Sequence, residues 1–360
     1  MSTQLQQPLP SVAFAVPPAL ITLAVIVLSM LAGLAITVLL LLATGYRPAD
    51  ALPALWSGAF GGAHETAETV ARAVPLVLTA LATSVAYRAR LWSVGQEGQL
   101  VVGALFTYAA AQLLGGRVGP FAWLLPLGAG ALGGALWGVL PAWWKARRGV
   151  SEIISTVLLN YVAVYLLTYA IAHLCEKAQP TYLQSDPVPG GAWLPTLVAD
   201  TPLNVGLFVA LGAASVVATV LAHSAFGFEL RAFGSNPVAS RFKGIDSVRT
   251  TVVIFLVSGA LCGLCGALQL LGTHQRLSLA VASGAGNAGI IVAMLARLNP
   301  WGVLLAALMF GALDTGSTMM QLEAGVPSTL AKAMQALMLL CFLFCELAVR
   351  RVLAQRDCDD

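Results

Sequence analysis

The sequence has few charged residues for its length. Asp, Glu, Lys and Arg make up 10% of its 360 positions, whereas a soluble globular domain carries about a quarter. Apolar side chains account for 58% of the chain. A water-soluble fold cannot bury that much apolar surface, so the composition excludes an ordinary soluble domain and predicts a protein embedded in a lipid bilayer.

Motifs for nucleotide binding and for common hydrolytic chemistry are also missing. The sequence contains no G-x-x-x-x-G-K-[ST] phosphate-binding loop, no H-E-x-x-H zinc motif and no G-x-S-x-G nucleophile elbow. Its four histidines are scattered along the chain. We therefore expect that this chain is not an enzyme and that it holds no metal or cofactor of its own.

Positive charge and cysteine are similarly sparse. The formal net charge is only +3, and the Lys and Arg residues occur in short clusters between apolar runs. This pattern provides no extended basic face, so we expect no nucleic-acid partner. Most of the six cysteines lie inside or beside apolar runs, which is typical of small packing residues and not of a disulfide framework.

Long apolar runs divide the chain into about ten candidate membrane spans, since roughly 20 apolar residues cross about 30 Å of hydrocarbon. With ten spans and both termini inside, 13 of the 19 Lys and Arg residues lie on the cytoplasmic side, as the positive-inside rule requires. We therefore predict an all-α integral membrane protein with both termini cytoplasmic. The predicted spans are residues 18–45, 69–87, 98–114, 120–144, 151–174, 203–223, 250–272, 285–296, 300–316 and 327–349.

The two ends of the chain and the eighth run need separate treatment. The run 18–45 is too long for a signal-peptide core and has no basic segment before it, so we expect a retained span. Residues 1–17 and 350–360 are then cytoplasmic tails on one transmembrane domain, residues 18–349. The eighth run either continues into the ninth through a bend at Asn299 and Pro300 or forms a half-helix shielded by protein.

Glycine recurs in two informative patterns. Gly130, Gly134 and Gly138 at four-residue spacing, and Gly259 with Gly263, predict close helix packing. In addition, the stretch 95–98 (GQEG) opens the third span and the stretch 286–289 (GNAG) opens the eighth, which runs in the opposite direction. The recurrence predicts two inverted halves, as in many transporters, unless it only reflects the abundance of glycine in membrane helices.

Polar side chains inside the predicted spans are candidates for a solute path, because a polar group at membrane depth is costly unless it is paired or faces a cavity. One group lies at the glycine-punctuated start of the third span, where a broken helix is tolerated if it lines a cavity. A second recurs at helical spacing along the fifth span. With one amide from the eighth span, the candidates are Gln96, Glu97, Gln99, Glu152, Thr156, Asn160 and Asn287.

Several of these candidates also have a simpler interpretation. Glu97 either lines a path or faces cytoplasmic water, paired with Arg88 or Arg90. Glu152 belongs either to the polar stripe or to a helix N-terminus that its charge stabilises. Asn287 is either a solute contact or a hydrogen bond between helices.

The segment 225–249 is the longest charged interruption between two apolar spans. Asn236 is a favoured helix cap, Pro237 a favoured first helical residue and Gly244 a stop signal, so we expect a short helix here. Its Lys and Arg residues predict a cytoplasmic location. The helix is either a docking element for a soluble partner or only a solvated connector.

Four stretches of the sequence resemble a known family. They are residues 93–99 (SVGQEGQ), 151–156 (SEIIST), 227–237 (GFELRAFGSNP, continuing to Ile245) and 325–328 (GVPS). Together they resemble the ATP-binding-cassette (ABC) importer permeases for sugars, nucleosides and branched-chain amino acids, and specifically the nucleoside and simple-sugar branch. The similarity covers roughly residues 66–345, with one departure at Val238, where the family more often has Glu.

The resemblance implies a permease of the bacterial inner (cytoplasmic) membrane that imports nucleosides, or failing those simple sugars. It implies three partners: an ABC ATPase subunit that uses ATP, a second permease that is a paralogue or a copy of this chain, and an extracytoplasmic substrate-binding protein. The alternative is an ion-gradient-driven secondary transporter without an ATPase partner. The residues implied in coupling to the ATPase are Glu229, Arg231, Asn236, Pro237, Ala239, Arg241, Gly244 and Ile245.

Overall fold

The computed structural model describes residues 32–33, 35–114, 119, 121–174, 184–198, 201–327, 329–330, 333–334, 336–337, 340–341 and 344. Its contacts form two units: Met1–Tyr46 with Lys332–Asp360, and Arg47–Ala331. In the first unit residues 32–33 and 35–43 are helical. The predicted tails, 1–17 and 350–360, and large parts of the first and tenth predicted spans lie outside the described residues.

The described part of the second unit is built of α-helices, with only two isolated β-bridges. Short 3-10 turns at Gly190–Ala192 and Leu279–Ala282 and a π-helical turn at Gln269–His274 complete it. The α-helices are α1 Pro48–Phe60, α2 Ala63–Arg88, α3 Gln96–Leu113, α4 Leu124–Arg148, α5 Glu152–Leu174, α6 Gly206–His223, α7 Ala225–Ser235, α8 Pro237–Phe242, α9 Ser247–Leu268, α10 Ala285–Leu295 and α11 Pro300–Ala324.

Six helices of the described chain are long and apolar enough to cross a membrane: α2, α4, α5, α6, α9 with its π-helical turn, and α11. They correspond to six of the predicted spans. Helix α3 coincides with the third predicted span, but Gln96, Glu97 and Gln99 lower its mean hydropathy. All-α architecture is therefore confirmed for the described residues, with six candidate spans.

The eighth predicted span is a separate short helix, α10, of 11 residues. It does not continue into α11, because Arg297 and Leu298 both adopt positive φ angles, 53° and 59°, in the turn between them. Helix α11 then begins at Pro300, where the side chain of Asn299 accepts a hydrogen bond from Trp301 N at 3.1 Å. The sequence signals Asn299 and Pro300 therefore mark a helix start and not a bend.

One helix of the described chain was not predicted, and another extends well beyond its predicted end. Helix α1 was not predicted, because Pro53 lies inside it and no long apolar run covers it. Helix α11 extends to Ala324, eight residues beyond the predicted end of the ninth span, and stops at Gly325, which has a φ of 65°. The predicted end was too early because Asp314 and the polar residues after it interrupt the apolar run.

Helices α3, α4 and α9 meet along a seam of glycines. A Cβ atom at Gly263 would overlap the carbonyl oxygen of Gly130, and one at Gly134 would overlap that of Gly259. Gly103 of α3 approaches the backbone of Gly263 equally closely. The predicted close packing is confirmed, and it allows these backbones to approach where lipid provides no hydrophobic drive for association.

We expect Gly263→Ala to destabilise the protein by about 1–3 kcal/mol, because overpacking a tight contact costs that much. Gly212→Ala is the matched control, since no atom lies within 4 Å of a Cβ at that helical position. It should be neutral or stabilise by up to about 1 kcal/mol. Thermal unfolding of the detergent-solubilised protein measures the stability of both variants. Equal transition temperatures for Gly263→Ala and Gly212→Ala would contradict the close packing at the glycine seam.

Candidate functional site

Helices α3 and α10 begin at the same point, inside the helix bundle. Gly286, the second residue of α10, approaches the backbone of Gln96 and Glu97 so closely that a Cβ atom would overlap it. The Arg88 guanidinium, at the end of α2, donates to Leu298 O at 2.8 Å, so α10 runs toward that end of α2. At the start of α3, the side-chain amide of Gln96 donates to Thr83 Oγ1 of α2 at 3.1 Å, and from this point α3 runs away from the Arg88 end of α2. Two helix N-termini therefore face each other.

The carboxylate of Glu97 fills the junction between these two N-termini. Its Oε1 accepts a hydrogen bond from Gly284 N at 2.9 Å, and its Oε2 accepts one from Gly286 N at 2.8 Å. The side chain is buried. A carboxylate at the positive end of a helix dipole is stabilised electrostatically, so Glu97 caps α10. In the described chain its carboxylate accepts from backbone N–H groups and not from Arg88 or Arg90, which corrects the simpler interpretation given above.

Helix α5 holds the start of α3 in place through two side chains. Asn160 Oδ1 accepts from Gly98 N at 2.8 Å, and Asn160 Nδ2 donates to Val94 O at 2.7 Å. Thr156 Oγ1 accepts from Val94 N at 3.2 Å and donates to Glu152 O at 2.6 Å. The polar stripe predicted along α5 therefore satisfies the backbone groups that the break before α3 leaves without helical partners.

The two glutamines in the first turn of α3, Gln96 and Gln99, differ in their partners. Gln96 Nε2 donates to Ser93 O at 3.0 Å as well as to Thr83. Neither amide atom of Gln99 has a hydrogen-bond partner within the described chain, although the residue is fully buried beside Gly138. Gln99 therefore keeps unused hydrogen-bonding capacity in the interior, next to the α3 start.

The last two predicted path residues lie in different environments. Glu152 is the first residue of α5, and its Oε2 forms an ion pair with Lys145 Nζ of α4 at 2.7 Å. Asn287, the third residue of α10, is exposed. The structure thus gathers Gln96, Glu97, Thr156, Asn160 and α10 around one point, and of the seven path candidates Asn287 alone is exposed.

Sequence reasoning missed a second polar group, on α2 and α11. Arg72 Nη1 and Asp314 Oδ2 are 2.6 Å apart, and Arg72 Nη2 and Glu68 Oε1 are also 2.6 Å apart. The sequence did contain a signal for this group. Arg72 and Asp314 each fall inside a predicted span, where a charged residue is rare and indicates function. Unlike Gln96, Glu97 and Gln99, neither residue lies beside a break in a helix.

The short helix predicted in the segment 225–249 is present as α8. Asn236 Oδ1 accepts from Val238 N and Ala239 N, each at 3.0 Å, and Pro237 is the first helical residue. Beyond the helix, Gly244 has a φ of 83°. Val238 and Phe242 are 66% and 89% exposed, and their four-residue spacing puts them on one face. Helix α8 therefore presents a small apolar surface.

Helix α7 joins this element to the ends of two longer helices. The guanidinium of Arg231 donates to Leu221 O at the end of α6, and Gly234 packs against the carbonyl of Arg88 at the end of α2. Arg241 Nε donates to Ser247 Oγ at 2.8 Å, at the start of α9. Of the other residues implied in coupling, Glu229 is half-buried in α7 and Ile245 is half-buried after α8.

Comparison with known proteins matches residues 66–343 to a family described as the permease component of branched-chain amino acid transport systems. The guanosine ABC transporter permease NupP of Bacillus subtilis is 35% identical, over 91% of this chain and 94% of that protein. The nucleoside ABC transporter permease NupB of Lactococcus lactis is 32% identical, over 84% and 86%. The glucose ABC transporter permease TsgB13 of Haloferax volcanii is 33% identical, over 87% and 85%. No solved structure matches.

These matches and the apolar helices define a multi-pass membrane protein, a transport subunit and not an enzyme. The chain belongs to the family of branched-chain amino acid transport system permease components. Its expected resemblance to the nucleoside and simple-sugar branch is confirmed.

We expect Asn160→Ala to lower transport while the protein remains folded in the membrane. The change leaves Gly98 N and Val94 O without their hydrogen-bond partners, which costs about 1–3 kcal/mol for each group. The start of α3 is then held less firmly. Ser155→Ala is the matched control on α5, because it removes only a hydrogen bond to Glu152 O within the same helix. Uptake and thermal unfolding are compared for both variants. Normal uptake by Asn160→Ala would remove Asn160 from the site.

Proposed function

We propose that this chain is the membrane-spanning permease subunit of an ABC importer for nucleosides. The observation that carries the proposal is the match to a guanosine permease along almost the whole of both chains. A second nucleoside permease matches over a similar length. The glucose permease among the relatives keeps simple sugars as the second candidate solutes.

The proposed topology has ten spans in two inverted halves, with both termini in the cytoplasm of a bacterial inner membrane. The opposed starts of α3 and α10 support it, because these are the two stretches that the glycine repeat relates. Discontinuous helices whose N-termini meet inside the membrane are typical of inverted-repeat transporters. In this orientation Arg88 and α8 lie on the cytoplasmic side.

Three partners complete the proposed importer: an ABC ATPase subunit, a second permease that is a paralogue or another copy of this chain, and an extracytoplasmic substrate-binding protein. Helix α8 is the proposed contact with the ATPase. Its exposed pair, Val238 and Phe242, fits an apolar groove, and Arg231 and Gly234 of α7 connect it to the ends of α6 and α2. A push on α8 would therefore reach the membrane helices directly.

Uptake measurements test the solute and the energy source together. We expect loss of this gene to abolish uptake of labelled guanosine and adenosine, with ribose, glucose and leucine unaffected, and ATP depletion to have the same effect as gene loss. Selective loss of ribose or glucose uptake would show that the imported solute is a simple sugar and not a nucleoside. Uptake that survives ATP depletion and stops when the proton gradient collapses would identify a gradient-driven secondary transporter instead.

We expect Phe242→Asp to uncouple ATP hydrolysis from uptake, because a carboxylate would have to be desolvated in an apolar groove. Phe242 is almost fully exposed, so the change should leave folding within about 0.5 kcal/mol. Ser235→Asp introduces the same charge at an exposed position outside α8 and serves as the control. Solute-stimulated ATPase activity of the reconstituted complex is the measurement. Unchanged activity in Phe242→Asp would make α8 a simple connector.

A further inference from the structure

Glu68, Arg72 and Asp314 form a charged network between α2 and α11 that the proposed function leaves unexplained. Arg72 contacts Asp314 through Nη1 at 2.6 Å and Glu68 through Nη2 at 2.6 Å and Nε at 3.1 Å. One guanidinium faces two carboxylates, so the network has a formal charge of −1. Its side chains are 29%, 34% and 46% exposed for Glu68, Arg72 and Asp314.

The network lies far from the cytoplasmic end of its helices. Arg72 precedes Arg88 by 16 residues of α2, or about 24 Å of helix, and Asp314 follows Pro300 by 14 residues of α11, or about 21 Å. Arg88 bonds to Leu298, so both lengths are measured from the same end of the bundle. With a hydrocarbon core of about 30 Å, the network occupies the outer third of the bilayer.

Charged side chains exposed at this depth require a polar environment. Ionised groups within membrane spans almost always face the bundle interior or a water-filled cavity, because contact with lipid is costly. A network that served only to join two helices would be expected to be covered by them, yet almost half of the Asp314 side chain is uncovered. The exposed side therefore faces water, solute or protein, and not lipid.

The position of the network on α2 relates it to the helix junction described above. Arg72 and Thr79 are seven residues apart and so share one face of α2. Thr79 Oγ1 donates to Ala285 O at 3.2 Å, at the first residue of α10. The network therefore lies about 10 Å outward from the start of α10, on the same face of α2. Transporter solute sites are commonly built where such broken helices meet.

Within the described residues, the network keeps both donors and acceptors without hydrogen-bond partners. Arg72 engages only one oxygen of each carboxylate, which leaves Glu68 Oε2 and Asp314 Oδ1 as acceptors. The guanidinium has five N–H groups, and three of them serve the carboxylates. Paired acceptors beside fixed donors suit a solute that carries adjacent hydroxyl groups, each of which both donates and accepts.

We propose that Glu68, Arg72 and Asp314 form an outer binding site for the vicinal hydroxyls of the transported solute. The carboxylate oxygens accept from the hydroxyls of a ribose or hexose ring, and Arg72 holds both carboxylates in position. This inference rests on the proposed function. It assigns to the permease a contact with the sugar ring, the part that nucleosides and simple sugars have in common.

The test compares Asp314→Asn with the wild type in cells that carry the complete importer, using labelled guanosine and 2′,3′-dideoxyguanosine, which lacks both hydroxyls. Loss of a charge-assisted hydrogen bond should raise KM for guanosine about ten-fold and leave KM for the dideoxy analogue within about two-fold. The substrate-binding protein is the same in all strains. Its own selectivity therefore cancels when KM of the variant is divided by KM of the wild type for each solute. Glu323→Gln, an exposed carboxylate elsewhere on α11, should change neither value.

Glu68→Gln is the second variant, in case Asp314→Asn fails to reach the membrane, because it keeps the pair between Arg72 and Asp314 that joins the two helices. Like Asp314→Asn, it should raise KM for guanosine and leave KM for the dideoxy analogue nearly unchanged. If both solutes lose uptake by the same factor, the network is a structural link and the inference is overturned. If the wild type imports no nucleoside, the proposed solute has failed separately, and ribose with its deoxy analogues then tests the hydroxyl contact in the same way.

Discussion

A helix that begins inside a bilayer exposes backbone N–H groups that lipid cannot satisfy. Among the described residues, α3 and α10 begin inside the helix bundle, where their N–H groups are likewise shielded from water, and side chains from elsewhere in the chain satisfy them. Glu97 serves Gly284 and Gly286, while Asn160 serves Gly98. The glycine at position 286 is required for the same reason, since the two starts touch through their backbones. The placement of α5, of α10 and of the break before α3 depends on these few bonds.

The local features of the fold were predictable from the sequence. Asn236, Pro237 and Gly244 predicted α8 because a cap, a first-turn proline and a stop act within a few residues of one another. Gly263 and its neighbours predicted the glycine seam because their spacing alone puts them on one helix face. Helix α1 was missed, since it is short and the proline within it reads as a break.

The partners of the site residues were not predictable, because they come from distant parts of the chain. Glu97 was predicted either to line a solute path or to face cytoplasmic water beside Arg88 or Arg90. Its contact with Gly286 joins positions 189 residues apart, and no local pattern specifies that. The link between Arg72 and Asp314 spans 242 residues. Periodicity specifies which side of a helix is polar, whereas tertiary packing decides which polar groups meet.

In the proposed importer, the apolar face of α8 would also bear on which ATPase this permease can use. By the resemblance described above, Val238 stands where the family more often has Glu, and in the proposed contact with the ATPase it would present, with Phe242, a surface without charge. A groove evolved to receive a glutamate would leave its basic group buried and unpaired against Val238, which is a penalty and not only a lost attraction. In the proposed importer, this side chain would disfavour pairing with an ATPase whose groove is built for a glutamate.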